Sequence, residues 1–204
     1  DLQVLEIYNL GAQSHVGISF EVPEYTSNVD GNAVLNILQI IKGLDENVQK
    51  KVKFYQAGTS ELYGKVLNNI QNEDTPFNPV SPYAAAKLYG YYLTKIYRDA
   101  YNLFCVNGIL FNHESPRRGG NFVTMKIVNA VKNIQNNKQD CVELGNLYSK
   151  RDWGHAKDYV NGMWLMMQQD KPQDFVLATG KTYTVKDFVE MCFNYVNMKL
   201  HWEG

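Results

Sequence analysis

The sequence predicts an α/β fold in which helices cover a mostly parallel β-sheet. Short apolar runs of strand length alternate with longer segments whose apolar residues recur at the spacing of an α-helix. The segments between successive strands are long enough to hold a helix, which is typical of parallel strands joined by crossovers. A chain of 204 residues suits one domain, or one domain with a small appendage.

The individual elements follow from these two periodicities. Strands are predicted at Val4–Leu10, Val52–Ala57, Leu103–Phe111, Cys141–Leu144 and Phe175–Ala178. Helices are predicted at Val29–Ile41, Ser81–Tyr101, Phe122–Ile134, His155–Met167 and Thr184–Tyr195. Ser81 followed by Pro82 is a typical helix start, and Thr184 with Asp187 three residues later resembles a capping box.

Composition and charge indicate which classes of partner and which cellular compartment to expect. A net charge of −1 gives no electrostatic reason to expect a nucleic acid or an anionic membrane, and the apolar runs are too short to span a bilayer. Cys105, Cys141 and Cys192 form no CxxC, which favours reduced thiols and a cytoplasmic protein. The four histidines lack metal-ligand spacing, so we expect no metal site. We expect no signal peptide, and Asp1 leads us to expect a start that was cut.

Polar clusters follow the predicted strands at the edge where open α/β sheets bind their ligands. These clusters are Gly11–His15, Thr59–Gly64, Asn112–Gly120 and Thr179–Lys181. The first three are rich in polar side chains, and Ser115–Gly120 is the segment that best fits a long functional loop.

Three Tyr-x-x-x-Lys pairs are candidates for base catalysis, because a lysine one helical turn from a tyrosine stabilises the phenolate. They are Tyr83/Lys87, Tyr91/Lys95 and Tyr195/Lys199. The first pair falls in the first turns of the predicted helix, near the strand ends. The second lies about 12 Å further along the axis, where we expect Tyr91 to pack or to face solvent. The third is at a predicted helix exit. Context therefore favours Tyr83 and Lys87.

Thr59 and Glu61 allow two interpretations. The hydroxyls of Thr59 and Ser60 can bond the local backbone in a strand-to-loop turn, although this does not explain the acid beside them. Alternatively, the hydroxyl can hold a substrate oxygen while the carboxylate takes a proton from carbon.

Several longer segments carry a resemblance to a known family. They are Tyr8–Val16, Thr59–Gly64, Ser81–Lys87, Asn107–Gly119 and Lys150–Val160. Together they resemble the extended short-chain dehydrogenases that act on nucleotide sugars, and the GDP-mannose 4,6-dehydratase family in particular, over essentially the whole chain. The resemblance implies a Rossmann-type, doubly wound parallel sheet with a small C-terminal substrate-binding portion. Residues 1–112 would bind NADP and carry the catalytic groups, while 113–204 would complete the sheet and help to bind the sugar nucleotide.

The resemblance also implies roles for individual residues. Thr59, Glu61 and Tyr83 would be catalytic, with Lys87 binding the nicotinamide ribose and tuning Tyr83. Further cofactor contacts would be Leu10, Gly11, Ala12, Gln13, Ser14, Tyr25, His113 and Arg118. Asn112, Lys126 and Arg151 would bind the nucleotide-sugar diphosphate, although a surface ion pair is the alternative for Arg151 and Asp152.

The implied reaction converts GDP-mannose to GDP-4-keto-6-deoxymannose in a homo-oligomer. Three alternatives stay open: another nucleotide-sugar dehydratase, a 4-epimerase that would have no need of Glu61, and a non-catalytic relic or scaffold. Gly58 and Met125 depart from the family pattern, where Ser and a basic residue are expected. The sequence also lacks the glycine-rich turn of the family's first βαβ unit, so we expect these 204 residues alone to bind NADP weakly or not at all.

Overall fold

The computed structural model describes residues 4–66 and 70–203. Its strands are β1 (Leu5–Asn9), β2 (Val52–Ala57), β3 (Phe104–Leu110), β4 (Asn112–Glu114), β5 (Lys150–Arg151), β6 (Trp153–His155), β7 (Phe175–Leu177) and β8 (Tyr183–Thr184). Its α-helices are α1 (Val16–Ser19), α2 (Pro23–Ser27), α3 (Ala33–Lys42), α4 (Glu46–Gln49), α5 (Pro82–Tyr101), α6 (Val123–Gln135), α7 (Ala156–Met167) and α8 (Val185–Tyr195). A π-helical turn (Asn28–Asn32) joins α2 to α3, and a 3₁₀ helix (Ser60–Tyr63) follows β2. No helix within these ranges is both long enough and apolar enough to cross a bilayer.

The chain divides into two compact units. The first unit comprises Asp1–Phe111 and Lys157–Leu177, and the second comprises Asn112–Ala156 and Ala178–Gly204. The predicted division of roles between residues 1–112 and 113–204 stays a prediction.

The first unit is built on a parallel sheet with the strand order β1-β2-β3-β7. Leu5 pairs with Val52, Lys53 with Phe104, and Gly108 with Phe175, all in parallel register. The predicted α/β class and its Rossmann-type sheet are therefore confirmed.

Alternating side chains of the central strands bury the two faces of this sheet under different helices. Phe54 and Cys105 belong to a cluster with Val34 and Leu38 of α3 and with Tyr97 of α5. Tyr55 and Val106, the next residues along each strand, pack instead with Met163 and Met167 of α7. Helices thus cover both faces, as in a doubly wound fold.

Helix α5 begins and ends as its sequence predicts. The Ser81 side chain accepts the Ala84 N–H, and Pro82 occupies the first helical turn. Asn102 ends the helix in the left-handed conformation, with φ of 53°. The helix upstream departs from expectation, because helical backbone begins at Pro23 and continues through the π-helical turn into α3.

The second unit contains two small sheets and two packed helices. β4 pairs with β6 in parallel, and β5 pairs with β8 in antiparallel fashion. Ile127 and Val131 of α6 pack against Val189 and Phe193 of α8. The capping box that the sequence predicts at Thr184 and Asp187 is present.

The predicted strand at Cys141–Leu144 is wrong. This segment forms no strand, and its carbonyl groups accept bonds from side chains rather than from a neighbouring strand. The Glu143 oxygen accepts the Lys126 Nζ at 2.7 Å, and the Cys141 oxygen accepts the Gln139 side chain at 2.6 Å. The apolar run therefore lies beside α6 instead of joining a sheet.

A buried ionic network ties α5 to β3 and to the residue before β7. The Asp174 carboxylate accepts Nη1 of Arg98 at 2.7 Å and Nη2 at 3.0 Å. It also accepts the Tyr91 hydroxyl at 2.9 Å and the Asn107 side-chain amide at 3.0 Å. Burial acts to raise the pKa of Asp174, but these bonds and the Arg98 charge outweigh it and hold the pKa below its ordinary range.

We predict that Asp174→Ala lowers the free energy of unfolding by about 3 kcal/mol, because the buried Arg98 guanidinium then keeps only the exposed Asp99 carboxylate as a counter-charge. Urea denaturation at neutral pH measures the loss. The exposed Lys50–Glu46 pair provides the control, since Glu46→Ala should leave the unfolding midpoint unchanged. Equal losses in both variants would contradict the role assigned to Asp174.

The Asp174 carboxylate also makes the stability of the fold depend on pH. Its pKa is lower in the folded chain than in the unfolded chain, so its stabilisation is fully present above the unfolded value of about 4. That contribution disappears as the pH falls through the folded value. We predict that the native chain loses stability below about pH 4 more steeply than Asp174→Ala does. Parallel curves for the two proteins in thermal melts over this range would rule out the linkage.

Candidate active site

The end of β2 presents the Thr59–Gly64 segment. Thr59 has extended backbone, is 8% exposed, and its side chain accepts the Glu61 N–H at 3.2 Å. Glu61 is half-buried in the first turn of the 3₁₀ helix. The Thr59 side chain therefore makes a bond of the local-turn kind, and the catalytic roles of Thr59 and Glu61 stay predictions.

Two glycines shape this segment. Gly64 leaves the 3₁₀ helix with φ of 54°, and a Cβ there would lie 1.7 Å from the Asn78 oxygen, so only glycine fits. Gly58 donates its N–H to the Gly108 oxygen at 2.8 Å, and a Cβ at Gly58 would lie 2.7 Å from that same oxygen. Gly58 thus fits the contact between the ends of β2 and β3, and a serine there requires the backbone to shift.

Tyr83 and Lys87 lie in the first two turns of α5 and are both buried, at 7% and 4% exposure. Lys87 Nζ lies 5.9 Å from the centre of the Tyr83 ring and donates to the Ala57 oxygen at 3.1 Å. Because Ala57 is the last residue of β2, this bond brings the lysine to the strand end that precedes Thr59. Burial lowers the pKa of Lys87, and the negative charge of Asp30 opposes that shift.

The other two Tyr-x-x-x-Lys pairs have different surroundings. Tyr91 packs edge-on against Phe77 and donates to Asp174, while Lys95 is exposed. The expectation that Tyr91 packs is therefore confirmed. Tyr195 is 89% exposed at the last residue of α8, and Lys199 lies beyond the helix. Tyr83/Lys87 is the pair with both members buried.

The predicted cofactor segment follows β1. Leu10, Gly11 and Ser14 are exposed, and Ala12 and Gln13 are half-buried. The Gln13 N–H donates to Asp30 at 2.7 Å, and its side chain bonds the Thr26 hydroxyl at 3.1 Å. Tyr25, on α2, is 59% exposed. Asp30 is the residue that the sequence analysis missed, although a lone acid inside an apolar helical stripe was a visible signal.

The remaining predicted residues belong to the second unit. Asn112 and His113 are half-buried in β4. The Arg118 guanidinium lies 3.6 Å from the centre of the Phe122 ring, and its Nε is 3.2 Å from Glu114. These contacts hold the arginine in the loop that begins at Ser115.

Lys126 borders a cavity of about 460 Å³ beside α6. Polar residues dominate its lining, including Asn129, Asn133, Gln139 and Glu143. Lys126 is exposed and its Nζ donates to the Glu143 oxygen, so a lysine charge stands at the rim of a polar cavity within this unit.

Arg151 and Asp152 do not form the ion pair considered as an alternative. Arg151 Nη1 donates to the Lys150 oxygen at 2.8 Å. Asp152 is 4% exposed and accepts the N–H groups of Thr179 and Gly180 at 3.0 Å and 2.8 Å. Asp152 therefore holds the 179–180 turn and does not pair with its neighbour Arg151. In the part of the chain that is described, no three His, Cys, Asp or Glu side chains form a group that could hold a metal ion.

Comparison with solved structures identifies the fold. A structure of RMD from Pseudomonas aeruginosa complexed with NADPH superposes with a TM-score of 0.87 at 19% identity, covering 96% of this chain and 67% of that one. A UDP-N-acetylglucosamine 4-epimerase from Methanobrevibacter ruminantium gives 0.82 at 25% identity, covering 94% and 60%.

Sequence comparison is more specific. GDP-mannose 4,6 dehydratase from Cricetulus griseus is 58% identical over 204 residues, which are 100% of this chain and 54% of the relative. GDP-mannose 4,6-dehydratase from Yersinia enterocolitica is 53% identical over 204 residues, again with 100% and 54% coverage. The chain thus spans about half the length of the curated relatives it matches. The model of the GDP-mannose 4,6 dehydratase family matches residues 1–204, so this chain belongs to that family.

Proposed function

We propose that this chain supplies the catalytic residues of a GDP-mannose 4,6-dehydratase, a hydro-lyase that forms GDP-4-keto-6-deoxymannose. The observation that carries the proposal is the buried Tyr83/Lys87 pair, whose lysine is bonded to the strand end that leads into Thr59 and Glu61. Membership of the family supports the same assignment.

The proposed cofactor is NADP, and Lys87 fits its nicotinamide ribose. An ammonium has three N–H donors, and among the described residues one acceptor, the Ala57 oxygen, takes one of them. The others suit ribose hydroxyls. Further proposed contacts are Leu10, Gly11, Ala12, Gln13, Ser14, Tyr25, His113 and Arg118. NADP, when bound, supplies the reversible oxidation and reduction of the sugar.

Tyr83 is the proposed base at the sugar 4-hydroxyl. The positive charge of Lys87 stabilises the phenolate and so allows the tyrosine to take that proton. Thr59, at the adjoining strand end, orients the same oxygen through its hydroxyl.

Glu61 distinguishes a dehydratase from an epimerase. A 4-keto group makes the C5 proton acidic, and a carboxylate can remove it. The protonated Glu61 then gives a proton to the departing 6-hydroxyl, so that the C5 proton and the C6 hydroxyl leave as water. The residue before Glu61 is Ser60 and not a second acid, so the one carboxylate of Glu61 serves both steps.

Asn112, Lys126 and Arg151 are the proposed contacts for the GDP-mannose diphosphate. The charge of Lys126 beside a polar cavity supports this assignment. We also propose a cytoplasmic homo-oligomer. Its free thiols, Cys105, Cys141 and Cys192, suit a reducing compartment, and the exposed Tyr89, Tyr92 and Ile96 on α5 suit self-association.

We predict that Glu61→Gln stops water elimination but keeps oxidation at C4. The test uses a chimera in which this chain replaces the matched segment of the Cricetulus griseus relative. With GDP-mannose and NADP, formation of the 4-keto-6-deoxy product should fall about 10³-fold, because the base at C5 is lost. Reduced cofactor should then accumulate, which its near-ultraviolet absorbance measures.

Glu73→Gln is the matched control, since the Glu73 carboxylate accepts the Val176 N–H at 2.7 Å and is proposed for no catalytic role. Its chimera should turn over like the parent. Product formation at the parent rate by Glu61→Gln would show that another group removes the C5 proton.

The paired tyrosines provide a second prediction. In the same chimera, Tyr83→Phe should lower kcat by about 10³-fold, because the base at the 4-hydroxyl is lost while the ring is kept. Tyr91→Phe should lower the melting temperature and spare kcat, because it removes a bond to Asp174. A comparable fall in kcat for both variants would refute the assignment of Tyr83.

A further inference from the structure

Asp30 is a buried acid that the proposed mechanism does not use. It lies on the π-helical turn between α2 and α3 and is 1% exposed. One carboxylate oxygen accepts the Gln13 N–H at 2.7 Å. The other, Oδ2, is buried and has no hydrogen-bond partner among residues 4–66 and 70–203. A carboxylate in such a place carries a large desolvation penalty unless a positive charge compensates it.

Close packing brings this turn against α5. A Cβ on Gly31 would lie 3.4 Å from the backbone oxygen of Ala86, and a Cβ on Gly90 would lie 3.2 Å from the backbone oxygen of Asp30. Lys87 lies between Ala86 and Gly90 on the same helix. Two glycines therefore allow the backbones to approach closely at the level of the lysine.

Lys87 and Asp30 are the charges that act on each other. Burial lowers the pKa of Lys87, and Asp30 opposes that shift. Burial raises the pKa of Asp30, and first Lys87 and then the Gln13 N–H oppose it. Each group thus stabilises the charged form of the other inside the fold.

We propose that Asp30 is a positioning residue, which holds Lys87 as a buried ammonium and fixes the main chain of the predicted cofactor segment at Gln13. The Asp30 carboxylate therefore connects three elements: the segment that follows β1, the π-helical turn and the start of α5. The catalytic consequence rests on the proposed function: Lys87 stabilises the Tyr83 phenolate only while Lys87 itself is charged.

Asp30→Asn separates the two roles. The amide keeps an oxygen for the Gln13 N–H but removes the negative charge. We expect the midpoint of Lys87 deprotonation to fall by about one pH unit or more, a tenfold or larger change in its acid constant. Selective ¹³Cε-lysine NMR on the purified 204-residue chain measures the midpoint, with Lys87→Arg identifying the resonance.

Asp99→Asn is the matched control. It removes one negative charge from the same helix, about 18 Å along the axis from Lys87. It reproduces the change in net charge and also removes the exposed Asp99 carboxylate from Arg98, away from Lys87. Its Lys87 midpoint should equal that of the native chain. An unchanged midpoint in folded Asp30→Asn, or equal shifts in both variants, would overturn the proposal.

The unaltered chain gives an independent reading that does not depend on whether a variant folds. The ¹³Cγ resonance of Asp30 should report an ionised carboxylate at neutral pH, and a protonated carboxyl there would overturn the proposal. Neither measurement uses catalysis, so failure of the charge pair is distinguishable from failure of the proposed dehydratase activity. In the active chimera, Asp30→Asn should shift the pH profile of kcat, whereas a merely structural defect would scale it at every pH.

Discussion

The burial of the Lys87 ammonium is the constraint on which the candidate site depends. A charged amine in a fold interior must have an acceptor and a counter-charge. Here the acceptor is the Ala57 oxygen at the end of β2, and the counter-charge comes from Asp30 on the π-helical turn. Three separate elements must therefore meet around one side chain, and the bond to Ala57 places the start of α5 beside the strand end that precedes Thr59.

Helix α5 is secured again further along its length. The Tyr91 hydroxyl and the Arg98 guanidinium both bond Asp174, which also bonds Asn107 on β3. The first turns of the helix thus serve the candidate chemistry, while its later turns fix the helix on the sheet. This division explains in physical terms why two Tyr-x-x-x-Lys pairs on one helix have unlike roles: the partner of Tyr91 is a structural carboxylate, and its lysine faces solvent.

A UDP-N-acetylglucosamine 4-epimerase has a similar fold at 25% identity, so the fold alone does not specify the reaction. The side chains at the strand ends are the ones we propose to specify it, Glu61 among them. Gly64 ends the 3₁₀ helix in a conformation that only glycine adopts without strain, and this fixes the short loop that carries Glu61.

The sequence by itself determined the α/β class and the position of nearly every long helix, and it singled out Tyr83/Lys87, the pair whose two members the fold buries. Periodicity and end signals such as Ser81-Pro82 act within a few residues, so they can be read locally. The apolar run at Cys141–Leu144 was misread because periodicity cannot tell whether a neighbouring strand is present to pair with it. Only the tertiary structure decided the buried partners of Asp152 and Asp174, and the electrostatic interaction of Asp30 with Lys87. These contacts join residues far apart in the chain, and burial, which sets the cost of an unpaired charge, exists only once the chain has folded.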